Sequence, residues 1–108
     1  LLQSVTGGVI LTLGKEGALA ATREGAWHAK PPAIREVNPV GSGDAFLAGI
    51  AMGLVEGLPM PEALARACAM GTANAASWDI GHFSPEEVEH YLEGVQITEI
   101  RRQNAART

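Results

Sequence analysis

The hydrophobic period of the chain changes around Asn38-Pro39. Upstream, apolar residues come in short continuous runs broken by glycine; downstream, they recur at helical spacing. The first pattern suits strands and the second suits amphipathic helices. Val9-Ile10-Leu11-Thr12-Leu13 is a β-branched run that stops at Gly14. Its length and flanking glycines predict a strand buried on both faces. Gly14-Lys15-Glu16-Gly17 reads as a turn, with two glycines around two charged residues. Ala18 to Thr22 reads as a second strand, Arg23-Glu24-Gly25 as another turn, and Ala26-Trp27-His28-Ala29 as a short third strand. Residues 1–7 are too short to assign. Lys30-Pro31-Pro32 interrupts regular structure, and Pro39 keeps Asn38 out of a helix.

Beyond that point Phe46, Leu47, Ile50, Ala51 and Leu54 predict a helix over 44–56, ended by Gly57 and Pro59. Pro61 opens a second helix over 61–77. Its face is Ala63, Ala67, Met70, Ala73 and Asn74, nearly all small, which predicts a helix sandwiched between close neighbours. Ser84-Pro85-Glu86-Glu87 supplies an N-cap, a proline at the first helical position and a glutamate at the third. The third helix, 85–94, turns Val88, Tyr91 and Leu92 inward, and Val95 to Ile100 alternates like a last strand. Strands followed by helices predict an α/β sheet covered by helices. Only one strand looks central, so the chain reads as the C-terminal part of a larger α/β domain. On that reading the first strand shows an edge without a partner. Exposed apolar patches, or self-association through that edge into a homo-oligomer, would follow.

Charge and cysteine usage exclude several functions. A net charge of −4 argues against a nucleic-acid binder. The one basic cluster, Arg101, Arg102 and Arg107, reads as a solvated terminus. Cys68 is the only cysteine, so neither an intrachain disulfide nor a Cys-based zinc site can form. This fits a reducing cytoplasm, and Cys68 itself reads as a small buried residue of an Ala-rich helix. No apolar run is long enough to span a bilayer, and no signal peptide is visible. His28, His82 and His90 lack ligand spacing and read as surface or loop residues. Trp27 and Trp78 are expected at the sheet edge and a helix end. Glu86, Glu87, Glu89 and Glu93 read as a solvated helix face, so no metal site is assigned.

The stretch that carries chemistry is Asn38-Pro39-Val40-Gly41-Ser42-Gly43-Asp44-Ala45-Phe46. Gly41 and Gly43 bracket a small residue where a helix begins. The first amides of a helix have no intrahelical partner, and the dipole puts about half a positive charge there. Glycines let a large anion approach such amides closely. Gly41, Ser42 and Gly43 are therefore a candidate anion hole for a phosphate. Asp44 has two readings. It can be an acidic residue that suits a helix N-terminus, or a carboxylate beside the anion hole that takes a proton from a substrate hydroxyl. Two other nucleotide motifs are absent. No Gly-Lys-Ser/Thr occurs, and Phe46 stands where a dinucleotide fingerprint needs its third glycine.

Val40-Gly41-Ser42-Gly43-Asp44-Ala45-Phe46, with Ala48-Gly49 after it, resembles the C-terminal signature of the PfkB (ribokinase-like) carbohydrate kinases. Leu11-Thr12-Leu13-Gly14-Lys15-Glu16-Gly17 is similar to that family's strand and glycine turn, and the likeness covers about residues 8–94. The resemblance implies the C-terminal, ATP-binding part of a three-layer α/β/α kinase domain in which Asp44 is the catalytic base. It implies that Gly41, Ser42 and Gly43 hold the transferring γ-phosphoryl group. It also implies that Thr12, Gly14 and Gly17, with Gly43 and Asp44, line the ATP phosphates and ribose. Cys68 and Asn74 would belong to the wall of the adenine pocket. ATP and Mg²⁺ are the implied cofactors; the family's acidic magnesium motif and acceptor site belong to an N-terminal part outside this chain. Ser42 and Asn38-Pro39-Val40 resemble the sugar-phosphate branch, 1-phosphofructokinase and tagatose-6-phosphate kinase, and leave a monovalent-cation site in doubt. A fructose 1-phosphate or tagatose 6-phosphate kinase in the cytoplasm is the implied parent. A kinase of an unphosphorylated sugar or nucleoside, an inactive nucleotide-binding module and a structural α/β fragment are the alternatives.

Overall fold

The structure is a computed structural model, and it describes residues 2–5, 8–34, 42–77 and 84–102. Strands β1 (Leu2–Val5), β2 (Gly8–Thr12), β3 (Ala18–Thr22) and β4 (Gly25–Lys30) come first. Helices α1 (Ser42–Val55), α2 (Met60–Ala75) and α3 (Pro85–Leu92) follow, and β5 (Gln96–Arg102) ends the described chain. The strands form one antiparallel sheet in the order β1-β2-β3-β4-β5. Each of β1 to β4 is therefore paired with the strand next to it in sequence. Short segments of glycine and charged residues suffice for the connections from β2 to β3 and from β3 to β4.

The antiparallel order changes two expectations. The run from Val9 is no edge: β1 pairs with β2 on one side, through Val5↔Gly8 and Leu2↔Leu11, and β3 pairs on the other. The edges of the described sheet are β1 and β5. Four residues carry too little pattern to announce β1, and its pairing with β2 is what makes it a strand. The same run is not buried on both faces either, since Ile10 is 1% exposed and its neighbour Val9 is 45% exposed. Helices cover one face of the described sheet, and period-two alternation sends the intervening residues to the other.

Cross-strand register puts Ile10, Ala20 and Trp27 in one row and Ala18 with Ala29 in another, all buried. Against that face lies α2, which touches β3, β4 and β5. Alanines on the sheet leave room for the helix backbone to come close. Trp27 is thus in the core with Phe46, Ile50, Leu64, Ala67 and Cys68, and not at a sheet edge. The strand β5 pairs with β4 and removes that edge.

The expected sandwiching of α2 is borne out. Ala63, Leu64, Ala67, Cys68, Ala69, Thr72, Ala73, Asn74 and Ala75 are all buried, with α1 and α3 on its flanks. The inward face of α1 differs from the expected one: Ala51 and Leu54 are exposed, whereas Phe46, Gly49, Ile50 and Gly53 are buried. A Cβ on Gly49 would lie 2.7 Å from Ala67 Cα, and one on Gly53 would lie 2.7 Å from Ala63 Cβ. The helices meet along glycine and alanine, a contact that a count of large apolar residues overlooks. Dispersion over such a close backbone approach replaces the large side chains it lacks.

At α3 the capping box forms as predicted. Ser84 accepts from the Glu87 amide at 3.2 Å, and the Glu87 carboxylate accepts from the Ser84 amide at 3.2 Å. Val88, Tyr91 and Leu92 are half-buried, while Glu86, Glu87, Glu89 and Glu93 face solvent. Glu89 pairs with Arg66 of α2 at 3.2 Å. His90 is an exposed residue of α3, as expected. The arginines at positions 101 and 102 belong to β5, opposite Ala26 and Gly25, and not to a solvated tail. Main-chain pairing at a sheet edge accepts almost any side chain, so their charge did not reveal it. Arg107, Trp78 and His82 lie outside the described residues.

Candidate functional site

The helix α1 begins at Ser42, two residues before the expected start at Asp44. Ser42 and Gly43 take the first helical positions instead of forming a turn ahead of them. The first amides of this helix, which lack intrahelical partners, therefore include those of Ser42 and Gly43. Gly43 is exposed, and among the described residues nothing lies within 4 Å of a Cβ added to it. Asp44 stands in the first turn and is exposed. A glycine amide approachable from solvent, on a helix of 14 residues, is what an incoming phosphate requires. Gly41, Asn38, Pro39 and Val40 lie outside the described residues.

The second glycine motif sits between β2 and β3. Thr12 ends β2, and Gly14–Glu16 form a single 3₁₀ turn. The Leu13 amide donates to the Gly17 carbonyl at 2.7 Å, and the Gly17 amide donates to the Gly14 carbonyl at 3.0 Å. Gly14 has φ +60° and Gly17 has φ +94°, conformations that favour glycine. Their surroundings differ. Among the described residues nothing lies within 4 Å of a Cβ on Gly14, whereas one on Gly17 would overlap the backbone carbonyl of Ala29 in β4. Gly17 locks the turn onto the sheet, and Gly14 leaves its outer side open. His28 adds a third tie that its sequence context did not announce. Its Nε2 lies 2.6 Å from the Glu16 carbonyl oxygen.

Cys68 and Asn74 are inside the molecule, Cys68 at 6% exposure and Asn74 at 0%. Burial pushes the Cys68 thiol from 9.0 up to about 11, against the smaller lowering by its hydrogen bond with Thr72. The folded state thus holds the neutral thiol. That preference is fully present below the unfolded value and is lost as pH rises through the folded one. Between about pH 9 and 11 the native state should lose about 2–3 kcal/mol through this one group. Urea unfolding across that range, compared with Cys68→Ala, measures it: the alanine variant should show a shallower alkaline decline. Among the described residues no group of three or more His, Cys, Asp or Glu side chains could hold a metal ion. Among them, too, no helix is long and apolar enough to cross a membrane.

Comparison with known proteins brings these parts together. The profile of the pfkB family carbohydrate kinases matches residues 1–86. A tagatose-6-phosphate kinase from Staphylococcus epidermidis is 36% identical over 92 residues, which are 85% of this chain and 30% of that protein. A 1-phosphofructokinase from Bacillus subtilis is 35% identical over 92 residues, with the same two shares. The chain thus spans less than a third of the length of these relatives. A crystal structure from Staphylococcus aureus, assigned as a phosphofructokinase, superposes with a TM-score of 0.82 at 33% identity. It covers 89% of this chain and 31% of that one. The α/β, ribokinase-like fold class and the likeness to the sugar-phosphate branch both hold.

Proposed function

The chain belongs to the pfkB family of carbohydrate kinases, and from that premise we propose that it forms the C-terminal, ATP-binding part of a kinase that phosphorylates a sugar phosphate. Fructose 1-phosphate and tagatose 6-phosphate are the acceptors in view, by likeness to relatives of those names. The observation that carries the reading is the open end of α1, with exposed Gly43 at its start and the Asp44 carboxylate in its first turn. A cytoplasmic enzyme fits this substrate class.

The roles follow from the chemistry of phosphoryl transfer, in which charge gathers on the γ-phosphoryl oxygens. The amides of Gly41, Ser42 and Gly43 donate to those oxygens, helped by the positive end of the α1 dipole. Asp44 accepts the proton of the acceptor hydroxyl as its oxygen attacks phosphorus. One end of one helix thus serves both partners of the reaction, holding phosphate by main chain and the hydroxyl by side chain. Thr12, Gly14 and Gly17 lie along the phosphates and ribose of ATP. The exposed side of Gly14 is the approach. Cys68 and Asn74, buried in α2, stand behind the adenine position as part of its wall. Mg²⁺ would arrive bound to the ATP phosphates and would offset their charge there.

The test uses the longer protein that carries this chain. ADP release is measured with ATP and, in turn, tagatose 6-phosphate, fructose 1-phosphate, fructose and a nucleoside. Turnover with a sugar phosphate is the expected result. Turnover only with an unphosphorylated acceptor would move the enzyme to another class of kinase. ATP binding without turnover on any acceptor would make it a nucleotide-binding module. Absence of ATP binding would overturn the reading.

A further inference from the structure

We propose that His28 is a positioning residue for the nucleotide: from β4 its ring holds the Gly14–Gly17 turn in the form that meets ATP. The inference rests on the reading of that turn as part of the ATP site. It adds a residue that lies outside both glycine motifs.

The geometry starts from the turn's own hydrogen bonds. The carbonyls of Leu13, Gly14 and Gly17 accept from the amides of Glu16, Gly17 and Leu13. The Glu16 carbonyl is taken by the side chain of His28, at 2.6 Å. A carbonyl oxygen can only accept, so Nε2 must carry the proton and donate. Both the neutral Nε2–H ring and the imidazolium meet that requirement.

The ring is placed by the sheet. His28 faces Leu19 in β3 and Thr98 in β5 across the two ladders, on the face opposite to α2. It is half-buried there, so its swing is restricted on both sides. The next residue, Ala29, offers the carbonyl against which Gly17 is closely seated. Two consecutive residues of β4 thus fix two consecutive residues of the turn, one through its backbone and one through its ring. Gly14, at the other end, keeps the open side. A short turn with two positive-φ glycines has other accessible conformations. The contacts from β4 select one of them before the nucleotide arrives, which reduces the ordering that binding would otherwise require.

The test is kinetic and uses the longer protein, with His28→Leu and His28→Gln. Leucine fills space without a donor, whereas glutamine keeps an N–H at similar reach. His28→Leu should raise KM for ATP about three- to ten-fold, the loss that one net hydrogen bond controls. The maximal rate and KM for the acceptor should stay within about two-fold, and His28→Gln should recover most of the ATP affinity. Hydrogen exchange of residues 14–17 in the unsubstituted protein, with and without ATP, separates the inference from the reading beneath it. Protection by ATP with an unchanged KM in His28→Leu overturns the role of His28 and leaves the turn in the ATP site. No protection removes the turn from the site, and His28 with it. A variant whose melting temperature and kinetic constants all fall together, or a glutamine that rescues nothing, makes the contact merely structural and overturns the proposal.

Discussion

Replacing Gly17 by alanine should cost about 3–4 kcal/mol of stability, against about 1 kcal/mol for the same change at Gly14. Both glycines have positive φ, +94° and +60°. The difference comes from what surrounds them. At Gly14 the methyl group enters open space, so the substitution carries only the backbone penalty of a left-handed alanine. At Gly17 the methyl group runs into the Ala29 carbonyl and comes within 3.1 Å of Pro31 Cδ. Neither neighbour is the end of a flexible side chain. Relief would require β4 to separate from the turn, and with it the pairing of Ala18 with Ala29 that buries both alanines. Urea midpoints for the two variants measure the contrast. Equal losses would mean that the turn is not seated on β4 as described.

Much of this architecture is legible in the residues. The strand from Ala18 to Thr22 is found as expected, because turn residues bracket it on both sides. The N-terminus of α3 is legible for the same reason: the capping box writes a helix start into four consecutive residues. What escaped depends on partners remote in sequence. β1 is a strand because β2 lies beside it, and the arginines of β5 are in the sheet because β4 offers free main-chain groups. The inward face of α1 escaped because Gly49 and Gly53 carry no apolar side chain; only the alanines of α2 make them core residues. At the candidate site the motif was plain and the environment was not. Sequence order marked Gly14 and Gly17 alike, whereas the fold gives them opposite surroundings. His28 lacked any motif, since its partner is a main-chain carbonyl that no residue type announces.

Asp44→Asn, in the longer protein, should lower the maximal rate about 10²- to 10⁴-fold while KM for ATP stays nearly unchanged. Asparagine has the size of aspartate and can occupy the same place in the first turn of α1. It accepts no proton from a hydroxyl at neutral pH. The structural cost is small by comparison. An exposed carboxylate in the first turn gains about 0.3–1 kcal/mol from the helix dipole, and Asp44 is exposed. The two readings of this residue therefore separate by magnitude. A residue that only suits the helix end would lose a fraction of its stabilisation and leave the rate within about two-fold. A base would lose about 3–5 kcal/mol of transition-state stabilisation with almost no change in melting temperature. On the proposed reading phosphate is held by the main-chain amides of Gly41, Ser42 and Gly43 and not by the carboxylate, so ATP affinity should survive. Near-normal turnover in Asp44→Asn would take Asp44 out of the chemistry and leave the open end of α1 as an anion site alone.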